Sequence, residues 1–157
     1  MCLQLLKTLF SISPPTKLPH PAGGMIYHTP NELRFAWRFQ YNVYDIFWDD
    51  LDLELSDEWG VGGCIAQEKK IKISPDFATT GTLAHEIAHC SYYLLTDDEK
   101  QEFHDIYTPL KTEGLIKFLY QTNSYGLVSD IEGHAELFRY LSPQIPEQLH
   151  KFYPYLI

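Results

Sequence analysis

Two histidines and a glutamate stand close together in the segment His85-Glu86-Ile87-Ala88-His89. In a helix, side chains four residues apart differ by only about 40° around the axis, so both imidazoles can bind one metal ion. Glu86 lies about 100° from His85, close enough to reach a metal-bound water without being a ligand itself. This pattern of residue types and spacing predicts a zinc site at which a carboxylate activates water.

A helix with an apolar back must carry these three side chains. Thr80 or Thr82 is expected to cap its first turn, and the helical pattern continues to about Leu95. Four side chains fall on the side opposite the two imidazoles: Leu83, Ile87, Cys90 and Leu94. All four suit a hydrophobic core, so we expect this side of the helix to be buried and the front to be polar.

The residues before this helix indicate a β-hairpin. Residues 60–66 are glycine-rich and extended, residues 67–69 form a turn, and residues 70–74 alternate strictly between polar and apolar types. Another strand, exposed on one face, is expected at residues 51–55. The glycines have two interpretations, because they either relieve strain at a bulge or let another backbone approach closely.

The chain length of 157 residues fits one domain and leaves little room for a second. Residues 1–24 are expected to form an extended lead-in, because residues 11–24 are rich in Pro, Gly and Ser. Residues 25–157 are predicted to form the single domain, and a short strand is expected at its start, at residues 25–28.

Three further helices are expected, at residues 29–44, 96–106 and 130–141. Thr29 and Thr96 each begin a capping-box pattern with a glutamate three residues later, and Pro143 stops the last helix. Residues 108–126 are expected to be irregular or partly helical. Together with the strands, these helices predict an α+β fold.

A catalytic zinc site needs a third protein ligand and an open position for water. Five downstream residues are candidates for this ligand: His104, Glu113, Glu132, His134 and Glu136. His104 follows the motif too closely to fold back easily, so we interpret it as a polar surface residue. On the last helix Glu132 and Glu136 share one face. His134 points to the opposite side, so only one of these sets can face the metal.

The chain resembles the HExxH-plus-glutamate zinc peptidases typified by the catalytic domain of anthrax lethal factor, to which the Pro-Pro endopeptidases are also similar. The resemblance lies in residues 83–95 (LAHEIAHCSYYLL) and in Tyr125-Gly126 followed by residues 132–139 (EGHAELFR). In that family a tyrosine stands seven residues before the ligating glutamate, and a second glutamate follows within an E-x-x-A-E-x-F-R pattern. This chain departs at His134, where an apolar residue is usual, and at Ala88, which replaces a frequent glycine.

The resemblance implies a zincin-like minimal metalloprotease domain of the α+β class. Such a domain has a small sheet with an antiparallel edge, an active-site helix and a C-terminal helix that carries the third ligand. Glu132 would be this zinc ligand, beside the two histidines of the motif. Tyr125 would place its hydroxyl on the developing oxyanion, and Glu136 would accept a hydrogen bond that orients a ligand or the tyrosine.

The expected function is that of a zinc-dependent endopeptidase with Glu86 as the general base. Its partner would be a peptide or protein substrate, which lies antiparallel to residues 60–66 and contacts Gly62, Gly63 and Cys64. Two alternatives stay open. One is a zinc-stabilised binding module without proteolysis, and the other is a SprT-like metalloprotein with His134 as the third ligand.

Composition limits the other partners. The formal net charge is −9, with 21 acidic and 12 basic residues, which disfavours nucleic acid. The three cysteines contain no CxxC pair and indicate reduced thiols rather than a disulfide framework. There is no run of 18 apolar residues, so no membrane partner is expected. The chain is predicted to be a monomer, either cytoplasmic or exported without a cleavable signal peptide.

Overall fold

The computed structural model describes residues 17–43 and 49–153. In these ranges the chain forms five α-helices and one three-stranded mixed sheet, which is an α+β arrangement as predicted. Most of the predicted lead-in, residues 1–16, lies outside the described residues. The first helix ends at Tyr41 instead of near the predicted Tyr44, because Asn42 adopts the left-handed conformation that terminates it.

The first helix, α1, spans Pro30–Tyr41. The Thr29 hydroxyl caps it as predicted, because it accepts a hydrogen bond of 3.2 Å from the backbone N–H of Glu32. The strand predicted at residues 25–28 is wrong. That segment makes one backbone hydrogen bond, from Tyr27 N–H to the Ala78 carbonyl, and its partner is an irregular loop with which no ladder can form.

The sheet contains the strands β1 (Asp52–Leu55), β2 (Gly62–Ile65) and β3 (Lys70–Ile73). Strands β2 and β3 form the predicted antiparallel hairpin, and β1 pairs in parallel with β3. The strand order is β1-β3-β2, so β3 is central and β2 lies at one edge of the sheet. Lys69 closes the hairpin turn in the left-handed conformation, with φ of 47°.

The motif helix, α2, spans Thr80–Tyr93. Its cap is Thr79 rather than Thr80 or Thr82, because the Thr79 hydroxyl accepts from the Thr82 N–H at 3.2 Å. Three of the four predicted core residues are fully buried: Leu83, Ile87 and Cys90. Leu94 is 44% exposed, since the helix ends one residue before it and the apolar side does not continue.

Three helices follow: α3 (Asp97–Leu110), α4 (Gly114–Thr122) and α5 (Asp130–Leu141). Thr96 and Glu99 form the complete capping box expected at the start of α3. The helix continues past the predicted end at residue 106, because burial of Tyr107 stabilises its last turns despite Pro109. The bounds of α5 are those predicted from the sequence.

Helices α2 and α5 pack directly against each other in the core. Both helices also contribute fully buried apolar side chains to the core, among them Leu83, Ile87, Ala135 and Phe138. Burial of one Leu or Phe side chain stabilises a fold by about 1.5–3 kcal/mol. The packing of the two helices, stabilised by this core, therefore fixes the distance between the motif helix and the glutamates of α5.

His134 lies on the core side of α5 and is fully buried. Its Nε2–H donates to the Phe152 carbonyl at 2.9 Å, and its ring stacks on Tyr153 with a centroid distance of 4.2 Å. Burial lowers the pKa of His134 to about 3, although the hydrogen bond to Phe152 partly opposes this. The imidazole is therefore a neutral part of the core.

Below pH 6.5, His134 binds a proton in the unfolded chain but stays neutral in the folded protein. The free energy of unfolding should therefore decrease as the pH falls below 6.5. The free energy of unfolding is expected to drop by about 2 kcal/mol from this residue between pH 6.5 and 4.5. Urea denaturation of the wild type and of His134→Gln across this range measures the difference. The control His104→Gln, at a surface position, should show the same change in the free energy of unfolding with pH as the wild type. Equal decreases in the free energy of unfolding in the wild type and in His134→Gln would show that His134 does not cause the pH dependence.

Candidate metal centre

The carboxylate of Glu132 stands between the two imidazoles of the motif. Helix α2 presents His85 and His89 one turn apart, with ring centroids 4.4 Å from each other. Glu132, in the first turn of α5, places Oε2 3.2 Å from His85 Nε2 and Oε1 3.4 Å from His89 Nε2. Within residues 17–43 and 49–153, no other group of three His, Cys, Asp or Glu side chains brings its ligand atoms within 4.8 Å of one another.

The donor set of this cluster fits a divalent cation. Glu132 Oε2 is buried and accepts no hydrogen bond, whereas buried polar atoms almost always have a partner. A carboxylate oxygen in this position is suited to a positive ion held together with the two imidazole nitrogens. Three protein donors of this kind leave a fourth tetrahedral position open to water.

Protonation of the cluster follows from burial and from its charges. Burial lowers the pKa of His85, but the neighbouring carboxylates of Glu132 and Glu136 outweigh this and raise it to about 9. Burial and the neighbouring charge of His85 lower the pKa of His89 to about 4. Burial raises the pKa of Glu132, but the two histidines lower it overall. A cation needs both imidazoles neutral, so its binding must release a proton from His85.

Glu136 supports His85 on the side away from Glu132. Its Oε2 lies 3.2 Å from His85 Nδ1, and its side chain is buried. When Nδ1–H donates to this carboxylate, Nε2 carries the lone pair and faces the cluster. Glu136 therefore fixes the tautomer and orientation of one prospective ligand, as carboxylates behind metal-bound histidines commonly do.

Asn123 joins this carboxylate to the loop that carries Tyr125. Its Nδ2 donates to Glu136 Oε1 at 3.4 Å and to the Tyr140 hydroxyl at 3.2 Å. Its Oδ1 accepts from the Tyr125 backbone N–H at 3.1 Å. The sequence alone does not single out Asn123, because a single asparagine after a short helix belongs to no motif. Its position two residues before the predicted tyrosine was the one available signal.

Tyr125 lies at the rim of the site, with its ring 6.2 Å from the ring of His85. Burial and the charge of Glu132 raise its pKa, so the hydroxyl keeps its proton at neutral pH. The following residue, Gly126, passes very close to Tyr120: a Cβ there would lie 2.5 Å from the Tyr120 ring. The Tyr107 hydroxyl donates to the Gly126 carbonyl at 3.3 Å. The two buried tyrosines thus hold this loop in place.

Glu86 faces the same space without joining the cluster of prospective ligands. Its side chain is buried, and burial raises its pKa to about 7, with partial opposition from the charge of His85. Strand β2 lies against it, because a Cβ on Gly62 would be 3.0 Å from Glu86 Oε1. Of the two interpretations of the glycines, close approach therefore applies to Gly62, but the group that approaches is a side chain and not another backbone.

A cavity of about 750 Å³ contains all of the predicted site residues. They are Gly62, Gly63, Cys64, His85, Glu86, His89, Tyr125, Glu132 and Glu136. Five further residues also line it: Val61, Phe77, Thr82, Tyr93 and Arg139. Thr82 and Tyr93 lie on α2, Arg139 lies on α5 at the end of the E-x-x-A-E-x-F-R pattern, and Val61 and Phe77 precede α2. The fold brings all five to one cavity.

The remaining candidate ligands lie elsewhere. His134 is packed in the core behind α5, so this geometry does not support the SprT-like alternative. His104 is a surface residue as predicted, and its Nδ1 lies 2.7 Å from Asp130 Oδ2. Glu113 is exposed before α4 and takes no part in the cluster.

Comparison of the chain with protein-family models, with curated proteins and with solved structures finds no match in any of the three. In the part of the chain that the structure describes, no helix is long and apolar enough to cross a membrane. The interpretation of the site therefore depends on its own geometry and chemistry.

The cluster predicts a clear order of metal affinities among three glutamate variants. Glu132→Gln removes a prospective ligand, so it should weaken binding of a divalent cation more than Glu136→Gln does. For Glu136→Gln, which only disturbs the orientation of His85, a loss of roughly 10- to 100-fold is expected. Equilibrium dialysis or competition with a chromogenic chelator measures these affinities.

The matched control is Glu113→Gln, an exposed glutamate outside the cluster, which should bind the cation like the wild type. If Glu132→Gln retained wild-type affinity, Glu132 would not be a ligand.

Proposed function

We propose that the chain is a zinc-dependent endopeptidase of the lethal factor-like kind. The observation that carries this proposal is the placement of Glu86 in one open cavity with His85, His89 and Glu132. A structural metal site is closed by four protein ligands and needs no free carboxylate beside it. An open site with a buried, unliganded glutamate instead suits the activation of water.

Zinc is the proposed ion because two imidazoles and one carboxylate form a common donor set of catalytic zinc sites. When bound, zinc polarises the scissile carbonyl and lowers the pKa of a coordinated water toward about 7. Among the protein groups, Glu136 holds His85 in the required tautomer. His85 is buried and the Glu132 side chain is only 18% exposed, so bulk water has limited access to the donor set.

Glu86 is the proposed carrier of the proton. Its raised pKa of about 7 suits a group that must both accept and release a proton near neutral pH. It takes the proton from the attacking water and delivers it to the nitrogen of the leaving amine. Its contact with Gly62 places it directly beneath the edge strand.

Tyr125 is the proposed donor to the oxyanion that develops on the scissile carbonyl. Its hydroxyl is protonated at neutral pH, and its ring stands beside His85 at the mouth of the cavity. A donor that is aimed at this developing charge before reaction stabilises the transition state. Asn123 and Gly126 keep the tyrosine loop in position.

The substrate is proposed to lie as an extended strand along β2. This strand pairs with β3 on one side only, among the described residues, and its other edge faces the cavity. Gly62 and Gly63 present only backbone at this edge, and backbone hydrogen bonds are what edge-strand binding of a peptide requires. The antiparallel direction follows the expectation for edge-strand binding and sets the polarity of the substrate in the cleft.

Replacement of the base tests the central step. Glu86→Gln should bind zinc with unchanged affinity but cleave a peptide library roughly 100- to 10,000-fold more slowly, because the amide cannot accept the proton. Cleavage by the zinc-loaded wild type should also stop when a chelator is added. Mass spectrometry of the digested library measures both effects.

Wild-type turnover in Glu86→Gln would defeat the assignment of the base. Tight zinc binding without cleavage of any peptide by the wild type would favour the alternative, a zinc-stabilised binding module.

Replacement of the oxyanion donor tests a separate step. Tyr125→Phe should bind zinc and peptide normally but lower kcat by roughly 100- to 1,000-fold, because it removes one donor from the transition state. The control is Tyr93→Phe, a rim tyrosine on the other side of the cavity, which should retain most of its activity. Equal kcat values for Tyr125→Phe and the wild type would show that the hydroxyl is not used.

A further inference from the structure

The guanidinium of Arg139 lies between the catalytic cavity and a second cavity, and it lines both. Across residues 17–43 and 49–153, Arg139 forms no ion pair, and its guanidinium donates no hydrogen bond. Its nearest described interaction is with the ring of Tyr140, 5.1 Å away. In a chain with 21 acidic and 12 basic residues, a partly buried arginine that has no carboxylate within ion-pair distance among the described residues is well placed to bind an acidic ligand.

The second cavity has a volume of about 310 Å³ and small residues on its walls. Among them, Gly81 determines where the guanidinium can lie, because a Cβ there would be only 3.1 Å from Arg139 Nε. None of the described side chains that line this cavity is acidic. A carboxylate that enters it therefore meets the guanidinium without a competing negative charge on the walls.

Three contacts show which end of the cleft Arg139 occupies. Gly81, in the first turn of α2, lies against Arg139, and Gly62 lies against Glu86 further along the same helix. Cys64 lies against the last turns of α2. Strand β2 therefore runs in the same direction as α2, starting at the Arg139 end. A peptide antiparallel to β2 runs toward Arg139, so the residues that follow the scissile bond approach the guanidinium.

We propose that Arg139 and the adjoining cavity form a subsite for a carboxylate on the C-terminal side of the scissile bond. This inference rests on the proposed endopeptidase function and adds a substrate class to it. The carboxylate belongs either to an Asp or Glu side chain or to the free C-terminus of the peptide. A planar guanidinium binds both through paired N–H···O bonds.

The net charge of −9 opposes this preference only at long range. At physiological salt, the field of exposed charges is screened beyond about 8 Å. The paired bonds of the guanidinium form at contact and are little affected by this screening. The local arginine therefore decides the specificity of the subsite.

The test compares peptides that differ in a single carboxylate. One series carries Glu or Gln at each of the first three positions after the scissile bond, and each peptide has a free or an amidated C-terminus. The zinc-loaded wild type should show about a ten- to hundredfold higher kcat/KM for the peptide with the correct carboxylate. A Glu-over-Gln preference identifies a side chain as the ligand, and a free-over-amidated preference identifies the C-terminus.

Variants assign the preference to one residue. Arg139→Gln should abolish the ratio of kcat/KM values, and Arg139→Lys should retain part of it. Arg139 also lowers the pKa of Glu86, so absolute rates will change in these variants. The ratio between two peptides cleaved by the same variant cancels that effect. The control Arg38→Gln, which removes an arginine paired with Asp49, should keep the wild-type ratio.

The outcomes separate this inference from the proposed function. Equal kcat/KM for all peptides, or a preference that survives in Arg139→Gln, overturns the subsite and leaves the endopeptidase intact. Failure to cleave any peptide contradicts the proposed function instead. Fluorescence anisotropy of the same peptides on Glu86→Gln then decides the subsite: a carboxylate preference that Arg139→Gln removes in this background supports it, and equal binding overturns it.

Discussion

The packing of α2 against α5 is the constraint on which the site depends. Four ionisable side chains, His85, Glu86, Glu132 and Glu136, are wholly or largely withdrawn from water, and burial of such groups is unfavourable unless they are paired. The fully buried apolar side chains that the two helices contribute to the core supply the compensating stabilisation. The cluster thus persists because the helices that carry it are held by contacts that have no part in its chemistry.

The motif helix, the hairpin and the last helix could be predicted because their signals are local. Capping threonines, strict alternation in β3 and helical spacing of apolar residues each act within a few positions. The residues alone left open whether Glu132 or His134 approaches the two histidines of the motif. The answer depends on which side of α5 faces α2. His134 is fully buried in the core and hydrogen-bonded to the Phe152 carbonyl, so the side with Glu132 faces α2.

Long-range contacts account for what the sequence did not disclose. Asn123 donates to Glu136 and Arg139 lies against Gly81, and both contacts join residues that are distant in the sequence. Contacts between distant parts of the chain also explain two wrong predictions, the burial of Leu94 and the strand at residues 25–28. In each case the periodicity was compatible with an element, but no partner surface was present to stabilise it.

The position of Glu132 has a consequence for the chain between the two halves of the site. Helices α3 and α4 lie between His89 and Glu132, so an ion bound to both residues closes a long loop in the manner of a cross-link. Because the ion binds the folded chain, it stabilises the fold by an amount that rises with the logarithm of the metal concentration. The lifetime of the folded protein in a cell would then depend on how much of the free ion is available.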